Sequence, residues 1–184
     1  MPTQTTTTRS FELTAFGFEK IIPASRPLAP VGAHEVLVKM KAVSLNYRDY
    51  MIAKGIYNPN LKFPLVPLSD GAGEVIEVGN AVTRVKRGDR VMPIFMQKWI
   101  AGQLDAEGGK SALGGAIDGV LQNEAIFHEN GLVIIPQHLS FEEAATLPCA
   151  AVTAWNSLFE HGAVKPGSTV LALGTGGVSI FALQ

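Results

Sequence analysis

Two stretches of this chain carry residue types at spacings that could do chemistry. Gly174-Thr175-Gly176-Gly177-Val178-Ser179 follows an apolar run and opens what reads as a helix. Glycines there permit a tight bend and let backbone amides approach a pyrophosphate at a helix N-terminus. The third small position is Ser179 rather than glycine, and the ribose-selecting residue expected about 20 positions later falls beyond Gln184. A structural glycine turn is the competing reading. The second stretch, Asn46-Tyr47-Arg48-Asp49-Tyr50 with Tyr57, gathers an amide, phenols, a guanidinium and a carboxylate at a strand-to-helix junction. Its competing reading is local capping, with Asn46 and Asp49 satisfying helix-start amides and the tyrosines half buried. Other chemistries find little footing. His34, His128, His138 and His161 show no paired metal-ligand spacing. No Gly-x-Ser-x-Gly elbow is present. Cys149, beside Pro148 among alanines, reads as a small packed thiol.

The elements that must position these groups follow from periodicity. Residues 35–44 alternate, with Val36, Val38, Met40 and Ala42 on one face and Lys39 and Lys41 on the other, which predicts a half-buried strand. Strands are also expected at 73–79 and 89–95 around a turn at 86–89, and as two strands within 119–136 around His128–Gly131. Many short strands at this spacing indicate a β-barrel or sandwich. Residues 47–55 read as a short helix ended by Gly55. Residues 97–118 are glycine-rich and aperiodic, either a mobile or substrate-facing loop or a disordered insertion. Ser140 and Glu143 form a capping box, with Leu139 and Ala144 as a hydrophobic staple. Helical segments should follow, restarted at Pro148 and stopped at Gly162. A Pro-Gly turn at 165–168 then leads to a fully apolar strand at 169–174, of the kind found inside parallel sheets.

Composition narrows the function classes. The chain has 184 residues, 47% hydrophobic and 17% charged, enough apolar material for a core. A net charge of −1 without charge blocks offers no reason to propose nucleic acid or an anionic membrane as a partner. One cysteine rules out an internal disulfide and makes a reducing cytosol the default compartment. No stretch has the roughly 18 apolar residues of a membrane helix. The Thr-rich, acid-free start reads as a frayed tail or, on the strength of Arg9 alone, a weak transit segment.

Taken together, residues 44–57, 67–92, 141–158 and 164–184 resemble the medium-chain dehydrogenase/reductase superfamily, with a match from about Phe11 to Gln184. The resemblance implies a mostly β fold with some helix. A GroES-like, partly open barrel would occupy residues 1–136. Linking helices and the first strand–turn–helix of a Rossmann domain would occupy 137–184. Zinc-dependent members carry ligands where this chain has Asn46, Ser69 and Asp70; only Cys149 keeps its ligand type. The chain is thus similar to the zinc-independent branch that includes the quinone oxidoreductases. Met51, where quinone reductases carry a tyrosine, departs from that pattern.

The implied activity is hydride transfer between NADP(H), or NAD(H), and a quinone, enone, aldehyde or alcohol, without zinc. Asn46 and Tyr57 would meet the developing oxyanion, and Tyr47, Asp49, Ser69 and Asp70 would lie at the substrate pocket. Thr153, Gly174, Thr175, Gly176, Gly177 and Val178 would contact the cofactor. A full-length parent is expected to be a cytoplasmic homodimer acting on a small molecule. A βαβ crossover takes about 30 residues, more than remain after Ser168, so the isolated chain is expected to bind NAD(P)H weakly and to be inactive alone. The alternative is a non-catalytic GroES-like binding or interaction module.

Overall fold

Alternation along residues 35–44 produces the strand on which the rest is built. In the computed structural model, which describes residues 6–184, β3 (Glu35–Ser44) buries Val36 and Val38 completely and leaves Lys39 and Lys41 exposed. β4 (Asp70–Val78) pairs along one side of β3, and β6 (Glu124–His128) along the other. β5 (Arg90–Pro93) and β7 (Leu132–Ile134) extend the antiparallel sheet to the order β6-β3-β4-β5-β7. A separate ribbon of β1 (Thr7–Leu13) and β2 (Ile21–Pro27) reaches the sheet region through Phe11 N–H to Leu121 O and Leu13 N–H to Leu65 O. The ladder does not close, so the barrel is open. Its core joins Val36, Val38, Val75, Val91, Val120, Phe127 and Leu132.

Several boundaries differ from the sequence expectation. β1 starts at Thr7, inside the stretch read as a tail, because Thr8 and Ser10 alternate inward and the Thr8 hydroxyl donates to Glu124 at 2.7 Å. The rest of that reading falls on residues 1–5, outside the described residues. β4 begins at Asp70 rather than residue 73. Its small residues are packing devices: a Cβ on Gly73 would press on the Lys39 carbonyl oxygen at 2.5 Å. The strand at 89–95 is shorter, Arg90–Pro93. The two strands around His128–Gly131 exist, yet they lie at opposite edges of the sheet. Glu129 anchors the crossing, accepting from His34 and from the Thr83 and Arg84 amides, which hold its carboxyl down at about 2. Residues 97–118 are ordered rather than a disordered insertion, holding a helical turn α2 (Ala106–Gly109) and a buried segment Ser111–Gly115.

α1 (Tyr47–Ala53) occupies the expected place. α3 (Phe141–Ala145) starts on the Ser140–Glu143 capping box, and Leu139 and Ala144 share one apolar cluster. A π-helical turn (Leu147–Ala151) carries Pro148 in its opening turn, followed by α4 (Val152–Trp155) and a second π turn (Asn156–His161) capped by Gly162. The expected strand at 169–174 is not formed. A strand needs a ladder partner, and none pairs with it among the described residues; Leu171 and Leu173 stand more than 80% exposed. α5 (Gly177–Leu183) does follow the glycine turn.

Candidate active site

The end of β3, the start of α1 and the start of β4 meet under the π turn at 147–151. Asp49, in the first turn of α1, accepts from the Asn46 N–H at 2.8 Å. The capping reading of this stretch is therefore correct for Asp49. Ser69 donates to Asp70 Oδ1 at 2.7 Å, and the Cys149 N–H donates to Asp70 Oδ2 at 2.9 Å, tying the π turn to the sheet. The fold thus brings Asn46, Ser69, Asp70 and Cys149 together from positions up to a hundred residues apart.

Burial sets the electrostatics of this cluster. Asp49 is pushed up to about 6 by desolvation, against the opposing pull of the Asn46 amide and Arg48. Asp70 is raised by burial too, although Ser69, Asn46 and the Cys149 amide favour its charge. The Cys149 thiol is pushed up to about 11, first by burial and then by the Asp70 charge. Asn46 Nδ2, Arg48 Nε and Asp49 Oδ1 are buried without a hydrogen-bond partner among the described residues. Asn46 is close enough to Asp70 to favour its charge but makes no hydrogen bond of normal geometry.

Above the cluster opens a pocket of about 700 Å³ walled by Phe95, Trp99, Leu132 and Val152, with Tyr57, Cys149, Thr153 and Arg48 among its polar lining. Of the expected site residues, Tyr57 and Thr153 line it. Asn46, Asp49, Ser69 and Asp70 do not line it. Tyr47 lies apart, 72% exposed and stacked on Tyr50. The turn at Gly174–Val178 sits outside the lining but leans on the same π turn, since a Cβ on Gly177 would touch Ala150 at 3.2 Å. The sequence reading assigned Arg48 no role. Its signal was the i, i+4 spacing with Ile52, which places both on the inward face of α1.

The alcohol dehydrogenase GroES-like domain model matches residues 32–137, more than half of the chain. The chain belongs to the medium-chain dehydrogenase/reductase superfamily. Within that superfamily it is 51% identical over 172 residues to a zinc-type alcohol dehydrogenase-like protein of Schizosaccharomyces pombe, a match covering 91% of this chain and 49% of the relative. A solved alcohol dehydrogenase candidate from Sinorhizobium meliloti superposes with a TM-score of 0.89 at 38% identity, covering 98% of this chain and 54% of that one. An NAD-dependent alcohol dehydrogenase superposes at 0.82 with 32% identity, covering 95% and 53%. The chain spans about half the length of the relatives it matches.

Zinc, named for the yeast relative, does not fit the donors at this superfamily position. Both Asp70 oxygens already accept hydrogen bonds, and Asn46 offers a neutral amide where a thiolate or imidazole would be needed. Among the described residues no three histidine, cysteine or acidic side chains converge. The glycine turn, by contrast, leaves room for a phosphate group. Gly174 bends at φ 76°, no side chain caps α5 at Gly176, and nothing lies within 4 Å of a Cβ position on Gly176, so the turn's amides are open to a phosphate. No described helix is long and apolar enough to cross a membrane.

Proposed function

We propose that the chain forms the first part of an NAD(P)H-dependent, zinc-independent oxidoreductase that reduces a small quinone, enone or aldehyde, or oxidises an alcohol. Residues 1–136 serve as the catalytic GroES-like domain. Residues 137–184 serve as the link into a Rossmann domain. The observation that carries this reading is the pocket where Tyr57, Cys149 and Thr153 converge, beside a glycine turn packed on the same π turn.

Bound NADP(H), or NAD(H), would supply or accept hydride at its nicotinamide ring. The chain's own residues do the rest. Thr153 and the Gly174, Thr175, Gly176, Gly177 and Val178 backbone hold the cofactor. Phe95, Trp99 and Leu132 exclude water from the pocket, which strengthens each polar contact inside. The Tyr57 hydroxyl lines the pocket and meets the charge that develops on the substrate oxygen in place of a metal, and the Asn46 amide, buried just outside the lining without a partner among the described residues, is the second proposed donor. Ser69 and Asp70 hold the π turn in register through the Cys149 amide. Asp49 seats α1 by accepting from the Asn46 N–H, while Tyr47 stands apart from the pocket. By the same reading, the full-length enzyme acts in the cytoplasm as a homodimer.

In a full-length enzyme carrying this chain, Asn46→Ala should lower kcat by well over tenfold, since one oxyanion donor contributes about 2.7–4 kcal/mol. Loss of dihydronicotinamide absorbance with a quinone acceptor reads this out, and an unchanged kcat removes Asn46 from the site. One observation favours a second reading, a non-catalytic interaction module: the exposed apolar side chains of Val152, Trp155, Phe159, Leu171 and Leu173. Turnover of any acceptor by the full-length protein would decide against it.

A further inference from the structure

Arg48 is the charge in the pocket that the reading above leaves without work. It is 91% buried by its 9% exposure, and it lines the cavity together with Tyr57 and Phe95. A buried guanidinium normally sits against a carboxylate, because leaving water without one is costly. Here no carboxylate forms an ion pair with it among the described residues. Among the described residues its one protein acceptor is the Leu113 carbonyl, 2.9 Å from Nη1, and its buried Nε has no partner. Five N–H donors are thus served by a single oxygen. Asp49 and Asp70 are near enough for its charge to favour their ionisation, yet burial raises both and neither forms an ion pair with it among the described residues.

The position is held rather than accidental. The guanidinium lies 4.6 Å from the Phe95 ring centre and 5.0 Å from that of Tyr57, and rings on a guanidinium face fix its plane. Gly115 makes room for it: a Cβ there would collide with Arg48 Nη2. Leu113 and Gly115 belong to the ordered end of the 97–118 segment, so that segment is what seats the arginine.

We propose that Arg48 is the substrate-binding residue of this pocket, donating to an oxygen that carries negative charge on a flat conjugated ring. Resting on the oxidoreductase reading, this narrows the substrate class to quinones, whose reduction by hydride places charge on such a ring oxygen. Phe95, Trp99 and Tyr57 supply ring faces for a planar partner, and a guanidinium fork prefers a charged oxygen to a neutral one.

The test is calorimetric titration of the chain with 4-nitrophenolate, at a pH where it is ionised, and with the neutral 4-nitroanisole. The wild type should bind the anion roughly tenfold or more tightly than the ether, as expected for a hydrogen bond to a charged group. Arg48→Met should remove that preference and still bind the ether. Gly115→Ala, which displaces the guanidinium without changing it, should reduce the preference, and decides the matter if Arg48→Met does not fold. A preference that survives in the folded variants, no preference in the wild type, or no binding of either probe overturns the proposal. The probes carry no nicotinamide, so the cofactor reading is scored separately by NADPH-induced NMR shifts at Gly174–Gly177. Shifts without an anion preference sink Arg48 alone. A preference without shifts sinks the cofactor reading alone.

Discussion

Asp49 holds a carboxylate in a place that penalises its charge. Its folded value of about 6 exceeds the ordinary 3.8, so folding costs extra free energy as pH rises from about 3.8 to 6 and the cost persists above that. Asparagine keeps an acceptor for the Asn46 N–H but cannot ionise. Asp49→Asn should therefore raise the melting temperature relative to wild type above pH 6, with the advantage fading as pH falls toward 4. An advantage that grew on acidification would reverse the sign and contradict the burial argument. At this scale the sequence showed the types of the site residues but not their surroundings. Asp49 was legible as a cap because capping is local. Arg48 was not legible as a pocket residue, because its exposure depends on Phe95, Leu113 and Gly115, which approach only in the fold.

Elements built on local rules were read well: the 35–44 strand, the Ser140 capping box, the short helix before Gly55. Elements that depend on distant partners were not. The strands on either side of His128–Gly131 separate to opposite edges because each is bought by a different neighbour, β3 or β5. The start of β4 was missed because glycine and alanine weaken a strand pattern, although here they admit β3 at close range. Gly73→Ala should accordingly destabilise the sheet, by about 1–3 kcal/mol on the scale of overpacked cores. Its added methyl meets the Lys39 backbone, which cannot swing aside. Urea unfolding measures this, and an unchanged or raised midpoint would show that β3 and β4 have slack between them.

Across the whole molecule, the sheet core is closed over while the 152–183 region is not. Trp155, Phe159, Leu171, Leu173 and Leu183 all stand exposed, and clustered exposed apolar side chains mark interaction surfaces. The 184-residue chain should self-associate: its weight-average sedimentation coefficient should rise with concentration and fall back on Leu171→Asp with Leu173→Asp. A constant monomer value would mean this surface is not adhesive. The open barrel was legible from strand spacing, but the apolar run at 169–174, read as a strand, lacks the ladder that would make it one. The central claim is that the glycine turn and the pocket serve one nicotinamide cofactor. Titrating isotope-labelled chain with NADPH to millimolar concentration and following backbone amide shifts tests it directly. The account predicts weak binding with shifts concentrated at Thr153 and Gly174–Val178. Shifts absent from both places, or confined to the β1–β2 ribbon, would contradict it.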